Sequence, residues 1–162
     1  MKQNTSIKEQ SLSPVSPATS GNRQLQSASK ETQATELDEP ILMALAAAAE
    51  KKALNVVVLD LREIASFTDF FVIANGTNER QVQAISDEVV ETLKKAGTPV
   101  TRVEGYNSAE WILLDYGDFV MHIFNEKARA FYDLERLWRE SKRVALPPEY
   151  SSAAPSSLRS ES

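Results

Sequence analysis

The sequence predicts an α/β (α+β) fold, a mixed β-sheet of about five strands with helices in the order αββαβββα. Three observations carry this. Residues 55–61 are a continuous β-branched run, as a strand covered on both faces requires. Val82, Ile85, Val89 and Leu93 recur at the three-to-four spacing of an amphipathic helix. Residues 111–124 alternate about a glycine as a hairpin does. Strands and helices interleaved in one short chain leave a layered sheet as the packing solution.

Each element has a local reason. Asp38-Glu39-Pro40 starts the first helix: an acidic cap candidate, then Pro within the first turn, where a missing N–H costs nothing. Ile41, Leu42, Leu45, Ala46 and Ala49 continue at helical spacing to about Lys52. The first strand is 55–61 and the second 70–74. Gly76-Thr77-Asn78 closes the second and opens the next helix, which is expected to end with Gly97 as its C′ residue, ahead of Pro99. Residues 100–104, 110–115 and 118–124 are the third to fifth strands. Asn125 is placed to cap a last helical region, in which Phe131, Leu134, Leu137 and Trp138 form an apolar stripe.

Composition bounds both organisation and chemistry. Residues 1–38 are Ser, Thr, Gln and Asn with scattered Pro, and 146–162 repeat the pattern. Such segments bury too little to offset their ordering entropy, so two disordered tails are expected around one domain at 39–145. A plastid transit peptide competes for the N-terminal tail, whose first 30 residues hold Glu9 as their sole acidic residue. Against it, Arg23 is the sole Arg there. Residues 1–40 and 141–162 together carry seven charges of each sign, so the net charge of -5 belongs to 41–140.

With no Cys and one His in 162 residues, thiolate sites, Fe–S clusters and multi-His metal sites are excluded. No cofactor is expected. The apolar run through 44–49 is broken by Glu50, and no run approaches the roughly 18 residues of a membrane span, which predicts a soluble chain with no membrane partner. An acidic chain is a poor phosphate-backbone binder, so little direct nucleic-acid contact is expected.

The hairpin is the most informative element. With Tyr116-Gly117 as a two-residue loop, Asp115 lies opposite Asp118, Leu113 opposite Val120 and Trp111 opposite His122. One face then carries Ile112, Leu114, Phe119, Met121 and Ile123, and is the core. The other carries Trp111, Leu113, Asp115, Asp118, Val120, His122 and Phe124, a mixture suited to meeting a partner. Trp111, Leu113, Asp115, Tyr116, Asp118, Val120 and His122 are the candidate partner-binding residues. The bland readings are that both Asp residues stabilise the turn, that Trp111 lies half-buried beneath a helix, and that His122 is structural.

Catalysis would start from Asp115, Asp118 and His122, whose types suit acid–base work. What is missing is a nucleophile with an orienting group, a phosphate-cradling loop, or further carboxylates at fixed spacing. The junction at Gly76-Thr77 resembles the phosphate-facing turn of nucleotidyltransferases, but the next strand, Val100-Thr101-Arg102-Val103-Glu104, lacks their Asp-x-Asp metal pair. No catalytic residue and no metal ligand is assigned; a nucleotide-binding or nucleotidyltransferase-like enzyme is the alternative.

Several motifs, taken together, resemble a known family. They are Ser66-Phe67-Thr68-Asp69-Phe70-Phe71-Val72-Ile73, Gly76-Thr77-Asn78-Glu79-Arg80-Gln81-Val82, Glu104-Gly105, Trp111, Asp115 through Phe124, and Arg129, Phe131-Tyr132, Leu134-Glu135, Leu137-Trp138. In this order, over about 41–140, the chain resembles the ribosomal silencing factors of the Iojap family. The resemblance implies a nucleotidyltransferase-like fold without catalytic carboxylates. It implies a cytoplasmic translational repressor that docks on the fourteenth protein of the large ribosomal subunit. Occupying that place would block joining of the small subunit and slow translation under nutrient limitation. Physically, an acidic domain suits a basic ribosomal protein better than rRNA. Self-association of the free protein is a further expectation.

Overall fold

The computed structural model describes residues 36–150. Helix α1 spans Glu39–Glu50, followed by strands β1, Leu54–Asp60, and β2, Phe70–Gly76, and by helix α2, Glu79–Lys95. Then come β3, Arg102–Glu104, β4, Trp111–Asp115, β5, Phe119–Asn125, and the short helices α3, Glu126–Tyr132, and α4, Leu134–Leu137. A two-residue strand β6, Lys142–Arg143, and a 3-10 turn at Pro148–Tyr150 close the described chain. The expected element order stands, with β6 as a sixth strand. Two residues carry no periodicity, so nothing local announces it.

The strands lie in the order β3-β4-β5-β2-β1-β6. Neighbours are antiparallel except for β2 and β5, which run parallel from Phe70↔Phe119 to Gly76↔Asn125. These two central strands are buried along nearly all their length, which accounts for their unbroken apolar runs. The edge strand β3 is exposed.

Local chemistry sets the helix ends. Asn78 Oδ1 accepts the Gln81 N–H at 2.8 Å at the start of α2. At its other end Gly97, with φ 93°, lets its own N–H reach the Lys94 carbonyl at 3.0 Å and the Thr98 N–H reach Leu93 at 2.8 Å. Asn125 caps α3 by accepting from the Ala128 N–H at 2.7 Å. In α1 the buried stripe is Ile41, Ala44, Leu45 and Ala48, whereas the expected Ala46 and Ala49 are exposed. In an alanine-rich helix nearly every register looks apolar, so the tertiary contact with α2 chooses the face.

Two apolar layers result. Helices α1 and α2 cover one sheet face, where Val58, Val72, Ile112, Leu114, Met121 and Ile123 pack with Ile41, Leu45, Val82, Ile85 and Val89. The other face holds Leu59, Phe71, Ile73, Val120 and Phe124 beneath Leu61, Ala128 and Leu134. Packing against the first layer continues past residue 145 to Leu146 and Tyr150, and begins at Leu37. Residues 1–35 and 151–162 of the tails expected over 1–38 and 146–162, and with them the transit-peptide alternative, lie outside the described residues. Among the described residues no helix is long and apolar enough to cross a membrane.

Candidate functional site

The hairpin turns one residue later than its sequence suggests. Tyr116 N–H donates to the Phe119 carbonyl at 2.9 Å, leaving Gly117 and Asp118 as the loop, with Gly117 at φ 87°. Its pairs are Asp115↔Val120, Leu113↔His122 and Trp111↔Phe124. The expected pairs Asp115–Asp118, Leu113–Val120 and Trp111–His122 are therefore corrected by two positions. Side chains repeat with period two, so a shift of two leaves every residue on its expected face. Ile112, Leu114, Phe119, Met121 and Ile123 are indeed buried on the helix-covered side.

Three bonds explain why the turn sits there. Asp115 Oδ1 accepts the Gly117 N–H at 2.9 Å, Thr68 Oγ1 donates to the Gly117 carbonyl at 2.9 Å, and the Asp69 N–H donates to the Asp118 carbonyl at 3.0 Å. Two of these come from a loop far away in sequence, which no local reading could supply. Asp115 and Asp118 do not face each other across the strands, because Asp118 lies in the turn itself. Asp115 instead stands 3.5 Å from Arg102 of β3.

The face expected to be open is partly roofed. Val120 is 8% exposed and His122 3%, covered by residues from the 61–65 loop and the C-terminal helices, so neither presents a free surface. Trp111 and Leu113 are half-buried at the margin of the same layer. Asp115 and Tyr116 are half-buried and Asp118 is exposed. Tyr116 leans the other way: its ring stacks on Phe119 at 4.8 Å, and its hydroxyl has no hydrogen-bond partner among the described residues. Burial pushes that phenol up to about 12.

Above this floor runs a continuous series of aromatic contacts. Phe67 meets Trp138 at 5.9 Å between ring centroids, Trp138 meets Phe71 at 5.7 Å, and Phe71 meets His122 at 4.4 Å. Trp111 lies 5.0 Å from Phe124 and 4.6 Å from Tyr132, which in turn contacts Phe131 at 4.9 Å. The outer members are open to solvent: Phe67 is 54% exposed, Tyr132 46%, Phe131 78% and Leu137 68%. The apolar stripe expected of the last helix is thus corrected. Leu134 is buried and Trp138 half-buried, but Phe131 and Leu137 face outward. Asp133 takes a left-handed conformation, φ 44°, between α3 and α4, and breaks the helical phase that would align them. Phe67, Phe131, Tyr132 and Leu137 are therefore members of the candidate surface that hairpin reasoning missed. Phe131 and Leu137 were expected in a buried stripe, and Phe67 and Tyr132 stood only within the family motifs.

A second concavity lies where the parallel strands β2 and β5 end, lined by Thr77, Asn78, Arg80, Asn125 and Lys127 together with Glu79 and Glu126. Strand ends of this kind are where α/β sheets bind ligands. Here two cations are matched by two carboxylates, so the groove offers no net field to a polyphosphate.

The sequence model of a family described as ribosomal silencing factor during starvation matches residues 32–162. The chain is 42% identical over 108 residues to a ribosomal silencing factor of Halalkalibacterium halodurans, covering 67% of this chain and 92% of that one. A Bacillus subtilis protein of the same name is 36% identical over 107 residues, 65% of this chain and 91% of its own length. A crystal structure from Bacillus halodurans, 42% identical, superposes with a TM-score of 0.61 over 67% of this chain and 98% of that one.

Proposed function

Because the chain belongs to the ribosomal silencing factor family, whose role is ribosome-associated control of translation, we propose that it binds the large ribosomal subunit through its fourteenth protein. Bound there, it blocks joining of the small subunit and slows translation under nutrient limitation, acting in the cytoplasm. It does so as a binding protein, without a catalytic step.

The observation that carries this reading is the aromatic face around Trp111. Exposed Tyr132 packs on the half-buried Trp111 indole with exposed Phe131 against it, exposed Phe67 packs on Trp138 of the same layer, and Asp115 and Asp118 lie at the opposite end of β4, at the turn. Large aromatic groups with a polar rim are the composition of interface anchors, and a contiguous exposed apolar patch is otherwise a liability. A chain of net charge -5 is attracted to a basic ribosomal protein and repelled by phosphate. Trp111, Leu113, Asp115 and Asp118 form the contact; Val120 and His122 support it from below, and Tyr116 packs on the helix-covered side of the turn. In the free protein the same face is available to a second copy, a state that analytical ultracentrifugation reads.

Subunit association followed by light scattering, with and without the protein, tests the proposal. A reduced association rate and cosedimentation with isolated large subunits are expected. An unchanged rate at saturating protein would overturn it.

A further inference from the structure

The imidazole of His122 occupies a site where stability by itself favours a hydrocarbon. It is buried against Phe71 and Phe124, with ring centroids at 4.4 Å and 6.3 Å. Its Nδ1 accepts a hydrogen bond from the indole Nε1–H of Trp111 at 3.0 Å. Since Nδ1 accepts, the ring proton of the neutral imidazole resides on Nε2. That nitrogen has no hydrogen-bond partner among the described residues. A buried N–H without an acceptor is a net cost. Leucine or phenylalanine would fill the same space without it. What the imidazole supplies in return is a single acceptor for a single donor.

That donor belongs to the residue on which the proposed interface turns. Trp111 pairs across the sheet with Phe124, and His122 with Leu113, so the hydrogen bond runs diagonally between β4 and β5. Packing on Phe124 and Tyr132 holds the plane of the indole, but aromatic packing alone does not choose which edge points inward. A hydrogen bond to the buried imidazole does.

We propose that His122 is a positioning residue for Trp111, holding the indole edge inward through Nδ1 so that the opposite edge and face are presented to the partner. The proposal rests on the reading of Trp111 as the interface anchor. Burial holds the imidazole pKa down, at about 3, so the group remains neutral and able to accept at physiological pH.

His122→Asn sets a carbonyl oxygen near the place of Nδ1 and keeps an acceptor. His122→Leu and His122→Phe remove it while filling the cluster. Two readouts are taken on the full chain. One is hydrogen exchange of the Trp111 indole N–H by NMR, with Trp138→Phe used to assign the two indole signals. The other is cosedimentation with isolated large subunits. About a ten-fold acceleration of indole exchange and about a ten-fold loss of subunit affinity are expected for the apolar variants, the scale of one hydrogen bond. The Asn variant should restore both to within about three-fold. A merely structural role would make affinity follow the melting temperature rather than the indole signal. The proposal is overturned if a folded apolar variant shows wild-type indole exchange, or accelerated exchange with wild-type affinity. Failure of the wild-type chain to cosediment would overturn the ribosomal reading instead, and indole exchange in the isolated protein would still decide the His122–Trp111 relationship.

Discussion

Arg129 grips Glu135 with two guanidinium nitrogens, Nε at 3.3 Å and Nη2 at 2.9 Å, while its Nη1 donates to the Asn55 carbonyl at 2.7 Å and to Asn75 Oδ1 at 2.9 Å. One side chain on α3 thereby ties the start of α4 to the irregular end of β1, where pairing with β2 slips between Leu54 and Val57. Asn55 sits at φ 48°, a left-handed conformation for that residue. The aromatic residues on α3 are held over the sheet by this tie.

Arg129→Ala should destabilise the domain by about 3 kcal/mol, because it leaves the Asn55 carbonyl without its mostly buried donor and Glu135 with the exposed Arg143, 3.6 Å away, as its remaining cation among the described residues. Arg129→Lys should recover only part of that loss, since an ammonium cannot form the planar fork. Urea unfolding measures both, and an unchanged m-value is expected for each.

Ile112→Ala opens a cavity in the helix-covered layer and should cost roughly 2–4 kcal/mol of stability, leaving the affinity of the folded fraction intact. Trp111→Ala should weaken large-subunit binding by about 2 kcal/mol or more. It should also cost some stability, because the indole packs on Phe124 and Tyr132. Melting curves and subunit cosedimentation on the two variants separate the effects. Loss of binding in folded Ile112→Ala with none in Trp111→Ala would mean that the two faces are exchanged.

Two glycines with similar backbone angles should respond differently to alanine. Gly105 has φ 78°, and a Cβ there would lie 2.1 Å from the Trp111 carbonyl oxygen; Gly117 has φ 87° with open space around it. Gly117→Ala should cost about 1–2 kcal/mol, the backbone strain alone. Gly105→Ala must also push β4 away at Trp111 and should cost clearly more, with a shift of the Trp111 indole resonance. Thermal unfolding and NMR of the two variants check this.

His122 is the sole histidine, and burial lowers its pKa from 6.5 to about 3. Between those values the unfolded chain binds a proton that the folded chain refuses, so its contribution to stability is complete above the unfolded pKa and is lost as pH falls. The slope approaches about 1.4 kcal/mol per pH unit within the window. In urea unfolding between about pH 5 and 6.5, where most carboxylates are still ionised, His122→Asn should flatten that slope. An imidazole resonance that titrates near its ordinary pKa in the native protein would contradict the expectation.

Much of the fold was legible because its signals are local. Asn78, Asn125 and Gly97 mark helix ends through bonds made within a few residues, and a chain that alternates in the hairpin sorts its own faces. The face assignment even survived a wrong turn, since a shift of two preserves side-chain parity. Ala46 and Ala49 show the opposite case: alanine carries too little contrast to say which side of α1 faces inward.

By itself, the sequence determined the element order, the apolar face of the hairpin and the motifs that mark the ribosomal silencing family, all of which depend on neighbours within a few residues. Only the tertiary structure decided the parallel pairing of β2 with β5, the position of the turn, and what lies over His122. Those depend on segments remote in the chain. The turn is placed by Thr68 and Asp69, the roof over Val120 and His122 comes from 61–65 and the C-terminal helices, and Phe131 and Leu137 stay exposed because Asp133 breaks the helix between them. Periodicity reports which residues share a side; it carries no information about which distant surface will cover that side.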